Sequence, residues 1–467
     1  MLASAEERTI ELVPETPPAE AALAPAESVV DPVIPPGHVV VLDFPTALAL
    51  VGGQHPVVGF AQWRVQEAYA QLARAEVLWL PSIRAGLSFH QHDGTLQGSN
   101  GSISDVNRSS FQAGLGAGAV AAGSTPVPGI IAHFHVSDAL FQPRIAQKTA
   151  WARQHAATTA LNDQLLRVAL AYTSVLRAAQ DISVLTESRQ RTDELARLTR
   201  DFAESGQGLE ADADRLATEL ILVDARLIEA RESLAVATAT LTEAVSLEVG
   251  CQVSLADPGL APIALVPPGM DQPGLVCLGL SSRPELKENQ CLVAAAQEQY
   301  LRQKYAPLVP SLLLGFSETG FGGGQGTTGN DFDDRYDVDA LAVWEVRNLG
   351  FGERAARWEG TSRVEQSKFE QLRLLDRVAR EVTENAALVP HRAERLTVTQ
   401  EGIESARDSY DLNLRRIRDG QGLPLEVLQS IRALEEAQRA YLDAVADYNE
   451  AQFRLQWSLG WPVSAPW

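Results

Sequence analysis

The apolar positions near the end of the chain step by threes and fours. From Val427 they run through Ile431, Leu434, Tyr441, Val445, Tyr448, Leu455 and Leu459, with Gln438 and Gln452 completing a heptad seam. A second stripe of small residues, Ala433, Ala437, Ala440, Ala444 and Ala451, lies beside it. One buried face needs only the first stripe; two let a helix pack on both flanks and join a wall that can close on itself. The same steps occur earlier, through Leu209, Ala213, Leu216, Leu220, Val223, Leu227, Ala230, Leu234, Ala237 and Leu241. Before each of these helices the helical period runs much longer, over 144–205 and 353–419. At 1.5 Å per residue, roughly 60 residues make a rod of about 90 Å. Pro390 sits inside the second rod and predicts a kink or break near Leu388 to His391, because it removes one backbone hydrogen bond.

Between the helical stretches the period drops to two. Ile83, Ala85, Leu87 and Phe89 alternate with Ser82, Arg84, Gly86, Ser88 and His90, and Ile130, Ala132, Phe134 and Val136 alternate with Ile131, His133, His135 and Ser137. Later, Leu312, Leu314 and Phe316 share one face, followed by Val338, Ala340, Ala342 and Trp344. Gly94 to Gly101 and Gly320 to Gly329 read as the connecting loops. Leu313 interrupts the later alternation and makes that strand the weaker prediction.

These elements occur twice in one order. Trp79-Leu80-Pro81-Ser82-Ile83 returns as Leu308-Val309-Pro310-Ser311-Leu312, and Gly206-Gln207-Gly208-Leu209 as Gly420-Gln421-Gly422-Leu423. The two pairs of marks lie about 229 and 214 residues apart, which predicts roughly 15 extra residues in a loop of the first copy. The organisation expected is an arm rich in Pro, Ala and Glu over 1–40, a first repeat over 41–255 and a linker over 256–280. A second repeat over 281–461 and a tail over 462–467 complete it. The first repeat holds a helix, a β-hairpin at 82–137, a long helix at 144–205 and a helix at 209–247. The second holds a helix, a β-hairpin at 311–346, a long helix at 353–419 and a helix at 423–460.

Composition narrows the class. Hydrophobic residues make up 45% of the 467 and aromatic residues only 6%, so Ala carries much of the apolar work, as in helices packed closely in a thin layer. The net charge of −21 argues against a nucleic-acid partner, which needs an excess of Lys and Arg. Cys251, Cys277 and Cys291 form no metal-binding spacing and no disulfide framework. No run of about 20 apolar residues marks a membrane-spanning helix. The chain is therefore soluble or meets a membrane through strands, and its first residues show no export signal.

The doubled order resembles the TolC-like outer-membrane efflux and secretion ducts from about Val40 onward. The phrases that carry it are His55-Pro56-Val57 and its copy Arg283-Pro284-Glu285-Leu286, Ala171-Tyr172, and Asn348-Leu349-Gly350-Phe351-Gly352. To these is added Gly422-Leu423-Pro424-Leu425-Glu426-Val427-Leu428 at the second turn. The resemblance implies a mainly α fold with a small β part: long antiparallel helices forming an α-barrel, and four strands per protomer entering a shared 12-stranded barrel of a trimer. It implies a passive exit duct, placed in the outer membrane and reaching into the periplasm. The implied partners are two further copies of the chain, outer-membrane lipid, a periplasmic adaptor and an inner-membrane pump. The turns at Gly206, Gln207, Gly208 and at Gly420, Gln421, Gly422 match the family's adaptor-docking tips. Its aperture ring falls on Glu426 and Gln429, with Asp212 equivalent to Glu426 in the first copy; Gln429 departs from the family's acidic residue. Gly422 stands where relatives carry a latch arginine, leaving Arg415, Arg416 and Arg418 as alternatives. A negative charge near a helix start also has a plain role, since it stabilises the helix by about 0.3–1 kcal/mol.

Other chemistry is faint. His90 with His92 and His133 with His135 set two HxH pairs on the polar faces of one predicted hairpin, but polar strand faces in a water-filled pore need no metal to explain them. Gly320-Phe321-Gly322-Gly323-Gly324 lacks the Lys and Ser/Thr of a phosphate loop. Neither a catalytic set nor a cofactor or metal site is expected. The alternative function is a soluble coiled-coil scaffold carrying hairpins but no pore.

Overall fold

A computed structural model describes residues 39–462 apart from 81, 84, 117–129, 207, 249–250, 267–268, 326–330 and 420. The heptad seams form helices of great length. In the first copy α1 (Phe44–Gln54) bends at His55 into α2 (Pro56–Glu76), α3 runs 69 residues (Val136–Glu204), and α4 returns over 35 (Glu210–Ala244). The second copy repeats this as α5 (Gln272–Ser282), α6 (Pro284–Tyr305), α7 with 68 residues (Phe351–Arg418) and α8 with 35 (Pro424–Ser458). At 1.5 Å per residue, α3 and α7 each extend about 100 Å.

The helices lie side by side in one layer. In the half toward the turns the order of neighbours is α4, α3, α8, α7; in the other half α2 and α6 replace α4 and α8. Val427, Ile431, Leu434, Val445, Leu455 and Leu459 of the predicted seam are buried, as are Ala444 and Ala451 of the second stripe, so α8 does pack on two sides. The layer has unpartnered edges. Trp63 on α2 and Ile221 on α4 are 72% and 68% exposed at one edge, and Phe369 on α7 is 69% exposed at the other.

Pro390 does not break α7, contrary to the sequence expectation; the helix is continuous from Phe351 to Arg418. The packing around it explains why. Val389 rests on the cluster of Val378, Val382, Leu455 and Leu459, and Arg395 pairs with Asp447 of α8 at 2.7 Å, so the neighbouring helix holds the rod through its missing hydrogen bond.

The predicted strands are longer than their alternation suggested. After β1 (Val39–Leu42) come β2 (Ser82–Ile83), β3 (Ala85–Gln97), β4 (Ile103–Gly116) and β5 (Ile130–His135). The second copy supplies β7 (Ser311–Gln325) and β8 (Phe332–Val343), while β6 (Gln252–Leu255) pairs in parallel with β1 beside the helices. Gly94 and Gly320, read as loop, lie within strands. At 15 and 12 residues, β7 and β8 exceed the nine to eleven needed to cross a bilayer, so the interruption at Leu313 does not shorten the span. The long strands pair antiparallel in the order β3, β4, β7, β8, leaving β3 and β8 as open edges.

Gly116 pairs with Ser317 and Ile130 with Phe316, consecutive positions of β7, so β4 and β5 follow one another along the same side of β7. Below the sheet, the Tyr172 hydroxyl donates to Asp257 at 2.5 Å and to the Leu42 carbonyl at 3.3 Å. These contacts, with Phe44 tilted against the Tyr172 ring and stacked on Phe453, tie the β1 and β6 connections to α3 and α8.

Candidate functional site: the helical turns and the wall above them

Both helical turns close in the same way. A Cβ at Gly208 would lie 3.1 Å from the Ala203 nitrogen and 3.2 Å from the Phe202 carbonyl carbon; at Gly422 the same atoms of Ile417 and Arg416 lie at 2.9 and 3.1 Å. Each turn therefore folds back against its own incoming helix, which only glycine allows without displacement. Gly206 has φ +75, a left-handed conformation that ends α3. Gln421 and Gly422 both donate to the Arg416 carbonyl, at 2.9 and 3.0 Å. Gln207 and Gly420 lie outside the described residues. The tight turns leave Leu209 and Leu423, the residues just before α4 and α8, exposed at matching positions.

The structure places the acidic candidates at the starts of the returning helices. Glu426 is in the first turn of α8 and forms an ion pair with Arg416 at 3.2 Å, joining α8 to the last turn of α7. Of the three candidate arginines it is Arg416 that makes this contact. Asp212 is in the first turn of α4, where its N–H donates to the Leu209 carbonyl at 3.1 Å. Gln429 is exposed, one turn beyond Glu426. The helix start favours both carboxylates whatever else they do.

Sequence reasoning missed a buried charge cluster higher on the wall. Glu219 of α4 and Glu435 of α8 are each 3% exposed, and Arg226 bridges them at 3.1 and 2.5 Å. Arg432 also pairs with Glu219, and the Ser188 hydroxyl of α3 donates to Glu435 at 2.5 Å. Glu219, Arg226, Arg432 and Glu435, with Arg439 and Asp443, line a cleft of about 890 Å³ between α4 and α8. Buried carboxylates are tolerable only when paired in this way. The signal was legible in principle: Glu219 interrupts the stripe from Leu216 to Val223, and Glu435 follows Leu434 on the buried side.

The two HxH pairs do not meet. His90 and His92 lie on β3 opposite Ser110 and Arg108 of β4, whereas positions 133 and 135 lie at the helix end of the sheet, opposite Leu313 and Ser311 of β7. His135 contacts the Ser311 hydroxyl at 3.2 Å; the His133 side chain is outside the described ones. Among the described residues no group of three or more His, Cys, Asp and Glu is placed to hold a metal ion. Nor is any described helix long and apolar enough to cross a membrane.

The family model described as outer membrane efflux protein matches residues 276–461, the second copy of the duplicated unit. No curated protein matches the chain in sequence. Among solved structures, the outer-membrane channel OprN aligns with a TM-score of 0.73 and 16% identity, over 90% of this chain and 91% of its own. The CmeC outer membrane channel of Campylobacter jejuni aligns with a TM-score of 0.74 and 13% identity, over 89% of this chain and 85% of its own. The open state of the MtrE outer membrane channel of Neisseria gonorrhoeae aligns with a TM-score of 0.69 and 16% identity, over 90% and 89%. The resemblance to the TolC-like ducts is thus borne out, in sequence over the second copy and in fold over nine-tenths of the chain.

Proposed function

We propose that the protein is a passive, trimeric exit duct of the outer membrane. Its helical tips dock onto the periplasmic adaptor of a tripartite efflux or type I secretion system. The observation that carries this is the matched pair of open edges. The helical layer ends in α2 and α4 on one side and α7 on the other, while the sheet ends in β3 and β8. Four strands cannot close a barrel, and unpaired edges facing lipid are prohibitively costly. Three copies supply twelve strands and, at either level, twelve helices. Spaced about 8–10 Å apart, twelve helices make a ring roughly 30–40 Å across between axes, wide enough for an aqueous bore.

On the sheet, Leu87 and Phe89 of β3, Phe111 of β4, Leu314 of β7, and Phe332, Tyr336 and Val338 of β8 share one face by register, which suits contact with lipid. Residues 41–255 and 281–461 serve as the two repeats, joined by 256–280, with 1–40 an arm and 462–467 a tail. Gly206, Gln207 and Gly208, with Gly420, Gln421 and Gly422, are assigned to adaptor docking, and Glu426, Gln429 and Asp212 to the aperture. The Arg416 to Glu426 pair stands in for the latch arginine of relatives.

Mass measurement of the detergent-solubilised full-length protein, with imaging, tests the assembly: three copies around a central bore are expected, and a soluble monomer refutes the duct. At the tip, Glu426→Ala should raise single-channel conductance in planar bilayers. Unchanged conductance and cation preference would remove Glu426 from the aperture.

A further inference from the structure

The junction between sheet and helices carries exposed apolar side chains that the docking and aperture assignments leave unused. Trp79 and Leu308 stand at equivalent positions, each two residues before the proline that opens its sheet segment, and Trp344 directly follows β8; all three are exposed. Register fixes their face. Position 83 lies opposite position 130, and that opposite position 316, so position 83 shares a face with Leu312 and Leu314. Leu80 and Val309 are extended, which carries the alternation back to Trp79 and Leu308, just as β8 carries it on from Ala342 to Trp344. The three side chains therefore continue the apolar face assigned to lipid.

Their level is that of a bilayer boundary. Twelve residues separate Trp344 from Phe332, which stands in one row with Phe89 and Phe111 through Gly322. Twelve steps of strand cover about 40 Å, or roughly 30 Å along the membrane normal at the usual tilt, which is the thickness of a hydrocarbon layer. Just beyond Trp344, Asn348, Leu349 and Gly350 are left-handed in succession, with φ 52, 57 and 88, and Leu349 is 92% exposed. A branched side chain rarely adopts this backbone, and strain kept to turn an aliphatic group outward calls for a partner that receives it. In the first copy β5 runs straight into α3, so the turn occurs once per chain.

A neighbouring protomer is the wrong partner for the whole group. Leu308 joins α6 to β7, and these lie inside their own layers, between α3 and α7 and between β4 and β8, away from the open edges. A lipid layer around the sheet reaches all four side chains. The charges agree. Within two turns of the sheet, the exposed charged side chains without an ion pair among the described residues are Arg74, Lys304, Arg354 and Arg357 against Glu76 and Glu345, a local positive excess on a chain of net charge −21. The Lys304 ammonium lies 5.2 Å from the Tyr305 ring centre and the Arg354 guanidinium 4.7 Å from that of Trp358. Such pairs suit a headgroup region, where the ring meets the acyl boundary and the cation meets phosphate.

We propose that Leu349, held out by the left-handed turn, forms with Trp79, Leu308 and Trp344 an anchor in the inner leaflet of the outer membrane. Acyl chains take the apolar tips and lipid phosphates take the cations beside them. The anchor rests on the duct function proposed above, and it sets the depth at which the barrel ends and the helical wall begins.

The test uses the full-length protein carrying Cys251→Ser, Cys277→Ser and Cys291→Ser, with a fluorophore on a new cysteine from either Leu349→Cys or Leu423→Cys. Each is placed in phosphatidylcholine and phosphatidylglycerol vesicles with brominated acyl chains. Quenching at position 349 should exceed that at position 423, on the far turn, severalfold. Separately, Leu349→Gly removes side chain and strain together: the unfolding temperature in detergent should not fall, while the protein recovered in vesicles should drop severalfold. A label at 349 quenched no more than one at 423, in trimers that conduct, overturns the anchor and leaves the duct; so does a Leu349→Gly protein that unfolds earlier yet enters vesicles as well as wild type. A protein that neither enters vesicles nor conducts overturns the duct and the anchor together.

Discussion

The elbow between α1 and α2 and the elbow between α5 and α6 have the same backbone and opposite chemistry. His55 caps α2 and Arg283 precedes α6 at the equivalent position, each followed by proline, with 4% and 3% of the residue exposed. Against each packs the end of a returning helix, closed by a left-handed residue: Ser246 with φ 55 after α4, and Gly460 with φ 82 after α8. At the second elbow the buried charge is permanent. Arg283 pairs with Glu285 at 2.7 Å and Glu381 at 3.0 Å and lies 4.1 Å over the Trp457 ring, whose indole donates to Asp163 at 2.7 Å. At the first elbow His55 accepts from the Val57 N–H at 3.3 Å through Nδ1, and its Nε2 lies 3.3 Å from the Ser246 hydroxyl. The same bend can be held by a fixed ion network or by a neutral, titratable ring, and the two should fail differently.

The largest effect is expected at Arg283. Arg283→Ala leaves Glu285 and Glu381 facing each other without their cation, and breaking a buried pair from one side costs about 3–5 kcal/mol. Thermal unfolding of the detergent-solubilised protein should show the loss; a fall no larger than that of a surface arginine variant would mean the network is ornamental. Gly460→Ala comes next. A Cβ there would lie 2.8 Å from the Ser282 carbonyl carbon and 2.9 Å from the Arg283 nitrogen, contacts with backbone that cannot rotate away. Together with the left-handed φ this should cost about 3 kcal/mol, and a neutral outcome would show that the elbow itself can shift.

These elbows were visible in the sequence only as His-Pro and Arg-Pro. The heptad seams were readable because burial on two flanks leaves a periodic trace, and the doubled turns because Gly208 and Gly422 answer the same steric demand. Composition misled where tertiary contacts overrode it. Gly320 and Gly322 look like loop, yet the Phe332 ring sits where a Cβ of Gly322 would be, so the aromatic neighbour covers the glycine and the strand continues. Pro390 looks like a break, yet α8 holds the rod. The bridge from Arg226 to Glu219 and Glu435 was legible only in part, since each glutamate shows on the buried side of its own helix but the pairing between them does not. Its partners come from different repeats, and no local spacing brings them together.

Acid should separate the two elbows. Burial, aided by Arg167, lowers the His55 pKa below its ordinary value, while the Ala244 carbonyl and Glu243 act the other way. Since the folded pKa is the lower one, the neutral ring's contribution is complete above the ordinary value of about 6.5 and is lost as pH falls through that value toward the folded pKa. A proton on Nδ1 would also confront the Val57 N–H that it now accepts from. The unfolding temperature should therefore drop between about pH 7 and 5 by more in wild type than in His55→Asn. Equal slopes would transfer the sensitivity to other groups, such as the carboxylates around Arg283.

The smallest effect is expected at Ser246, where two terms oppose. Left-handed backbone costs a non-glycine residue about 1–2 kcal/mol, so Ser246→Gly relieves strain, but it also removes the hydroxyl beside His55, a contact worth about 1 kcal/mol. At neutral pH the net change should lie within about 1 kcal/mol of zero. Its value lies in the comparison, because it turns the first elbow's closing residue into that of the second while keeping the histidine. If the hydroxyl helps hold the neutral ring, Ser246→Gly should flatten the acid slope without moving the neutral unfolding temperature. An unchanged slope would show that burial, Arg167 and the Val57 N–H keep His55 uncharged without the hydroxyl.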